Sequence, residues 1–152
     1  MTGGPVLLAA DHAGYELKQD LARHLADLGY TPRDLGTDSP DSVDYPDFAH
    51  RLAQAIGRGE AERGILCCGA GIGMSIAANR HPGVRAANCL DERMASLARE
   101  HNDANVLCLG SRLLDADQAK KVVWAFLETP FGGGRHGRRV EKIEVGGAEA
   151  RA

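Results

Sequence analysis

The chain has 152 residues, 43% of them hydrophobic and 26% charged, with 18 lysines and arginines against 21 aspartates and glutamates. That length suits one domain, residues 1–152, with a core of its own, and a net charge of −3 with a pI near 6.0 argues against a nucleic-acid partner. No stretch reaches the apolar length of a membrane span and the N-terminus lacks a signal-peptide pattern, so a cytoplasmic protein with no membrane partner is expected.

In chain order, residues 6–10 read as an apolar strand that ends in Asp11-His12-Ala13-Gly14. Leu17, Leu21, Leu25 and Leu28 then mark one face of a helix that Gly29 closes. A short, more polar strand over residues 31–35 belongs near a sheet edge, and residues 36–44 form a loop rich in Asp, Ser and Pro. Tyr45-Pro46 opens a helix with Phe48, Leu52, Ala55 and Ile56 inward. Residues 65–68 make the next strand, followed by a glycine loop and an apolar helix ending near Asn79.

After the turn His81-Pro82-Gly83 comes a strand over residues 84–89, then a helix over about 91–100 with Met94, Leu97 and Ala98 facing inward. His101-Asn102-Asp103 links it to a fifth strand, 106–109, which runs into Gly110-Ser111-Arg112. A helix over 115–128 buries Val122, Val123, Phe126 and Leu127 until Pro130-Phe131-Gly132-Gly133-Gly134 breaks it. A last helical segment starts near Arg135, and the tail after Val145 is expected to fray. Five strands alternating with helices predict a Rossmann-like αβα sandwich on a five-stranded parallel sheet. The cysteines at 67, 68, 89 and 108 fall at the ends of predicted buried strands without C-x-x-C spacing, so they read as reduced thiols. The six histidines show no metal-ligand spacing, and no metal is expected.

The most informative stretch is Cys68-Gly69-Ala70-Gly71-Ile72-Gly73. A strand, three glycines at every second position and a helix start together let backbone N–H groups close around an anion. Cys68 ends the strand with its sulfur in that field, placed as a general base or nucleophile. The plainer alternative makes Cys68 a small core residue and the glycines a turn. Cys67 points to the opposite face of the strand and reads as core packing. The loop lacks the Lys-Ser/Thr ending of a P-loop, and a dinucleotide fingerprint would need glycine where Met74 stands. Asp91 sits where a ribose-binding acid could be, but a nicotinamide reading leaves Cys68 without a role.

In a parallel sheet the residues after strands one, three and five share an edge. Asp11, His12, Cys68 and Arg112 therefore converge, although Asp11 could simply cap a helix and Arg112 could be a solvated charge. Arg135, Arg138, Arg139 and Lys142 recur at spacings of three and four, which puts most of them on one helix face. They form either a phosphate site or a solvated basic face.

Together with Asp44-Tyr45-Pro46, Ser75-Ile76-Ala77-Ala78-Asn79, His101-Asn102, Gly110-Ser111-Arg112 and Gly133-Gly134-Arg135-His136, these motifs resemble the type B ribose-5-phosphate isomerases of the ribose/galactose isomerase group. The resemblance runs from Val6 to about Ile143. It implies a cofactor-free aldose–ketose isomerase of the pentose phosphate pathway, with ribose 5-phosphate as the default substrate. Allose 6-phosphate or galactose 6-phosphate are alternatives, as is a non-catalytic module binding a phosphorylated ligand. By the resemblance, Cys68 is the base that moves a proton between C1 and C2, and His101 is the acid that assists ring opening. Asp11, His12, Tyr45, Asn102 and the loop Gly69, Ala70, Gly71, Ile72 and Gly73 contact substrate. Arg112, Arg135 and Arg139 bind chiefly its phosphate, with His136 in the same motif. Ala70 replaces a threonine common in relatives, so one hydroxyl near the reacting oxygens is missing. A homodimer with shared active sites is expected, with a tetramer as the alternative. Cys68 follows one strand and His101 precedes another, so the two should lie at opposite sheet edges, roughly 17 Å apart within one chain.

Overall fold

The computed structural model describes residues 3–145, and the tail beyond Val145 lies outside them. Strands β1 (Pro5–Ala10), β2 (Thr31–Asp34), β3 (Arg63–Cys68), β4 (Ala86–Asn88) and β5 (Val106–Gly110) form one parallel sheet in the order β2-β1-β3-β5-β4. The helices are α1 (Tyr15–Asp27), α2 (Tyr45–Gly57), α3 (Ile72–Ala78), α4 (Glu92–Asn102), α5 (Ala116–Glu128) and α6 (Arg135–Glu141).

The central strands are apolar throughout because both faces are covered. Val6, Leu8, Ile65, Cys67, Leu107 and Leu109 pack against α1, α4 and α5. Their alternates Leu7, Ala9, Leu66, Cys68, Val106 and Cys108 pack against α2 and α3. The period of two along each strand thus builds two separate cores from one sheet. The αβα sandwich read from the sequence is the observed fold.

From β1 the chain passes through α1 to the edge strand β2, then returns through α2 to β3 on the other side of β1. The connections leave β1 and β3 in opposite directions, which opens a crevice at their C-terminal ends. Strand β5 then inserts between β3 and β4, which brings the Gly110-Ser111-Arg112 turn beside that crevice. The exposed edge of β4 is short and covered. Asn79, at the end of α3, accepts from the Ala86 N–H at 2.7 Å and donates to the Ala86 carbonyl at 2.9 Å, as a neighbouring strand would.

Several expectations need correction. Helix α4 buries Ala95, Ala98 and Arg99, while Met94 is 41% exposed and Leu97 only partly covered. The reason is Arg99, whose guanidinium donates to Thr129 and Ala104 carbonyls and to Asp103, and so turns the helix toward α5. The helix also continues through His101 and Asn102, which are its last turn and not a linker, and stops at Asp103 with φ 46°. Strand β4 spans three residues instead of six. Cys108 sits mid-strand in β5, and Cys89 follows β4. All four cysteines are buried free thiols. Lys18, an apparent surface residue of α1, is wholly buried and ion-paired to Asp34 of β2.

Candidate active site

The site grows out of the end of β3. Cys68 is its last residue and is 6% exposed, the most open of the four thiols. Gly71 then takes φ +79°, a conformation that glycine adopts without strain, and caps the N-terminus of α3. That turn folds the loop back, so the Gly71 N–H donates to the Cys68 sulfur at 3.1 Å. The contact gives an electron-rich sulfur a polar partner inside a buried site.

Neighbouring elements are tied to this loop by their backbones. The Ser111 N–H donates to the Cys68 carbonyl at 2.8 Å and the Arg112 N–H to the Gly69 carbonyl at 2.9 Å. Arg112 thereby lies over the loop, where a Cβ on Gly69 would come within 2.9 Å of its guanidinium. On the other side, a Cβ on Gly73 would lie 2.5 Å from the Tyr45 ring, so glycine there lets the phenol reach the loop. The Ser111 hydroxyl donates to the Ala13 carbonyl at 2.8 Å and locks the turn after β1 to the turn after β5.

In that β1 turn, Asp11 is buried and one of its oxygens accepts from the Gly14 N–H at 3.0 Å. That bond closes the turn before α1, whose N-cap is Gly14 with no side-chain cap, so the capping role considered for Asp11 is not the one it plays. His12 accepts the Val43 N–H on Nδ1 at 3.2 Å, which fixes the ring against the loop leading to Tyr45. Asp11, His12, Tyr45, Cys68, Gly69, Ala70, Gly71, Ile72, Gly73 and Arg112 thus gather around one loop at the C-terminal edge of the sheet. The Ile72 side chain is itself 54% exposed at the start of α3, which leaves its backbone as the part nearest the loop.

The other expected residues are elsewhere. Helix α4 runs back along the sheet, so His101 and Asn102 lie at the edge where β5 begins. Helix α6 packs on α4 there, with the Gly132 N–H donating to the Glu100 carbonyl at 2.9 Å. The His101 and His136 rings stack with centroids 4.4 Å apart and planes 13° apart. Lost solvation, then repulsion from His101, Arg135 and Arg139, hold the His136 imidazole below its usual range. Arg135 and Arg139 bring positive charge beside the stack, and among the described residues no ion pair involves Arg112, Arg135 or Arg139. One chain therefore places these candidate residues in two separate clusters. The thiol cluster and the histidine–arginine cluster are separated by the length of β5, about 17 Å for its five residues.

Residues 6–143 match the Ribose/Galactose Isomerase family. The chain belongs to that family. Ribose-5-phosphate isomerase B of Escherichia coli is 44% identical over 138 residues, 91% of this chain and 93% of the relative. The crystal structure of a ribose 5-phosphate isomerase from Thermotoga maritima superposes with a TM-score of 0.91 at 52% identity, covering 93% of this chain and 97% of that one. Ribose-5-phosphate isomerase B from Mycoplasma genitalium, solved with bound ribulose 5-phosphate, gives 0.89 at 41% identity, covering 94% and 95%.

Within this isomerase fold, two crevice residues escaped the sequence reading. Ser111 was visible only as part of a Gly-Ser-Arg motif, with nothing to indicate its bond to Ala13. Asn88 was read as a strand residue, yet its side-chain amide donates to the Ala70 carbonyl at 3.3 Å. Both act across gaps in sequence that no local pattern spans. Ala70 leaves the loop without a hydroxyl but keeps its backbone donors. Among the described residues no three His, Cys, Asp or Glu side chains gather as a metal site, and no helix is long and apolar enough to cross a membrane.

Proposed function

We propose that the chain interconverts ribose 5-phosphate and ribulose 5-phosphate by cofactor-free proton transfer through an enediolate. The observation that carries this is the loop amide set on the Cys68 sulfur, in a chain of which 91% or more is matched by ribose-5-phosphate isomerases, one of them solved with ribulose 5-phosphate.

The thiolate of Cys68 removes the C2 proton of the open-chain aldose, and the C1 carbonyl becomes the enediolate oxygen. The resulting thiol returns the proton to C1, and the C2 hydroxyl gives its proton to the C1 oxygen as it becomes the ketone, so protons balance and no electron enters or leaves the pair. Amides of the loop 69–73 face the developing oxyanion, and Asp11, His12 and Tyr45 orient the sugar hydroxyls. Arg112 holds the substrate from the thiol side.

His101, Arg135 and Arg139 then act on the same sugar only from a second copy of the chain. A five-carbon substrate does not bridge about 17 Å, whereas a two-fold dimer would juxtapose the two kinds of half-site twice. The dimer thus assigns Arg112 to one subunit and Arg135, Arg139, His101 and Asn102 to the other. Asn102 would add an amide contact to the sugar, and His101 would supply the proton that opens the ring. The protein is read as one cytoplasmic domain. Assay of the purified protein on ribose 5-phosphate with EDTA present should show conversion to ribulose 5-phosphate at an undiminished rate; no conversion, with the chain folded, would overturn the assignment.

A further inference from the structure

Asn88 closes β4 on the side away from its edge, next to the glycine loop. Its Nδ2 donates to the Ala70 carbonyl, and the Gly71 N–H of the very same peptide unit donates to Cys68 Sγ at 3.1 Å. A peptide group is rigid and planar, so fixing its oxygen fixes the direction of its N–H. The opposite end of the Asn88 amide is equally constrained. Its Oδ1 is buried without a hydrogen-bond partner and lies 2.5 Å from where a Cβ on Gly71 would be. A buried acceptor left without a bond costs stability, and a leucine at this point would avoid that cost. The side chain is not there for packing alone. Rotating the amide by half a turn would set Oδ1 against the Ala70 carbonyl, so the donor orientation is the one the loop accepts.

We infer that Asn88 is a positioning residue for the isomerase reaction: by holding the Ala70–Gly71 peptide it aims the Gly71 N–H at the Cys68 sulfur and sustains the reactivity of that thiol. It touches the peptide and not the sugar. The inference rests on Cys68 as the base, and the test separates the two.

Asn88→Leu keeps the bulk and removes the donor, while Asn88→Asp keeps the shape and replaces the donor with an acceptor; Asn88→Ser removes most of the reach. Each is checked for folding by circular dichroism and treated with iodoacetamide at fixed neutral pH. Peptide mass spectrometry separates Cys68 from the three other cysteines. Losing one hydrogen bond should slow Cys68 alkylation roughly three- to tenfold in the folded variants, with kcat falling in parallel and KM for ribose 5-phosphate held. A folded Leu or Asp variant whose alkylation stays within about twofold of wild type overturns the inference. Slowed alkylation with unchanged kcat would show that Asn88 aims the Gly71 N–H at the thiol but overturn its part in the isomerase reaction, and would remove Cys68 as the base.

Discussion

Cys67 and Cys68 are adjacent, chemically identical and given opposite tasks by the pleat of one strand. Cys67 points into the core with α1 and α5, where burial first, then the neighbouring Cys68, pushes its thiol far up from its ordinary value. Cys68 points to the other face, ends the strand and receives an amide hydrogen bond from the loop. Replacing Cys68 with Ala should therefore lower kcat by roughly 10²–10⁴-fold, the span usual for removing a general base. Binding of ribulose 5-phosphate, followed by calorimetry, should persist because the arginines and loop amides remain. Full turnover by the alanine variant would take Cys68 out of the mechanism. Substitution of Cys67 by Ala should leave kcat intact and show its effect in stability.

Helix α6 buries none of its residues, so it contributes little to the core and packing places few demands on its sequence. Its start is held through Gly132 and the stacked His101–His136 pair, which fixes where Arg135 and Arg139 stand. Removing either guanidinium deletes a charge-assisted contact of about 1.5–3 kcal/mol. Arg135→Ala and Arg139→Ala should each raise KM for ribose 5-phosphate by roughly 10- to 150-fold while sparing kcat. An unchanged KM in both steady-state titrations would reduce α6 to a solvated basic face.

At the scale of the molecule, the proposed shared site makes the assembly testable. Cys68→Ala and His101→Ala variants, each nearly inactive, should regain about a quarter of wild-type activity after joint unfolding and refolding. Random pairing makes half the dimers mixed, and each mixed dimer has one intact site of two. A mixture that exchanges subunits and stays inactive contradicts the shared site. The buried thiols also set the alkaline limit of the fold. Burial, reinforced by Asp91, raises Cys89 from 9.0 to about 11, and burial raises Cys67 and Cys108 further. A raised folded value means that the unfolded chain releases protons first. The stabilisation from Cys89 is whole below pH 9 and is lost as pH rises through 11. Urea midpoints measured from pH 8 to 11 should fall, and Cys108→Ala should flatten the fall.

The fold was legible because its signals are local. The short apolar run Ile65-Leu66-Cys67-Cys68, closed by glycines, reads as a strand buried on both faces, and Leu17, Leu21 and Leu25 recur with the helical period. Glycines marked the loop, and the motifs around Cys68 and Arg135 marked the family. Tertiary structure decided what local pattern does not encode. The length of α4 and the side it buries were set by Arg99, which finds its partners 4, 5 and 30 residues away. Lys18 is inside because Asp34 waits across the gap to β2. Asn88 reaches the glycine loop and Ser111 the turn after β1 only because β5 inserts between β3 and β4, an order of strands that hydrophobic periodicity does not specify. A sequence determines which residues prefer to be covered; which of them meet is settled when the sheet closes its order and the last polar groups find partners.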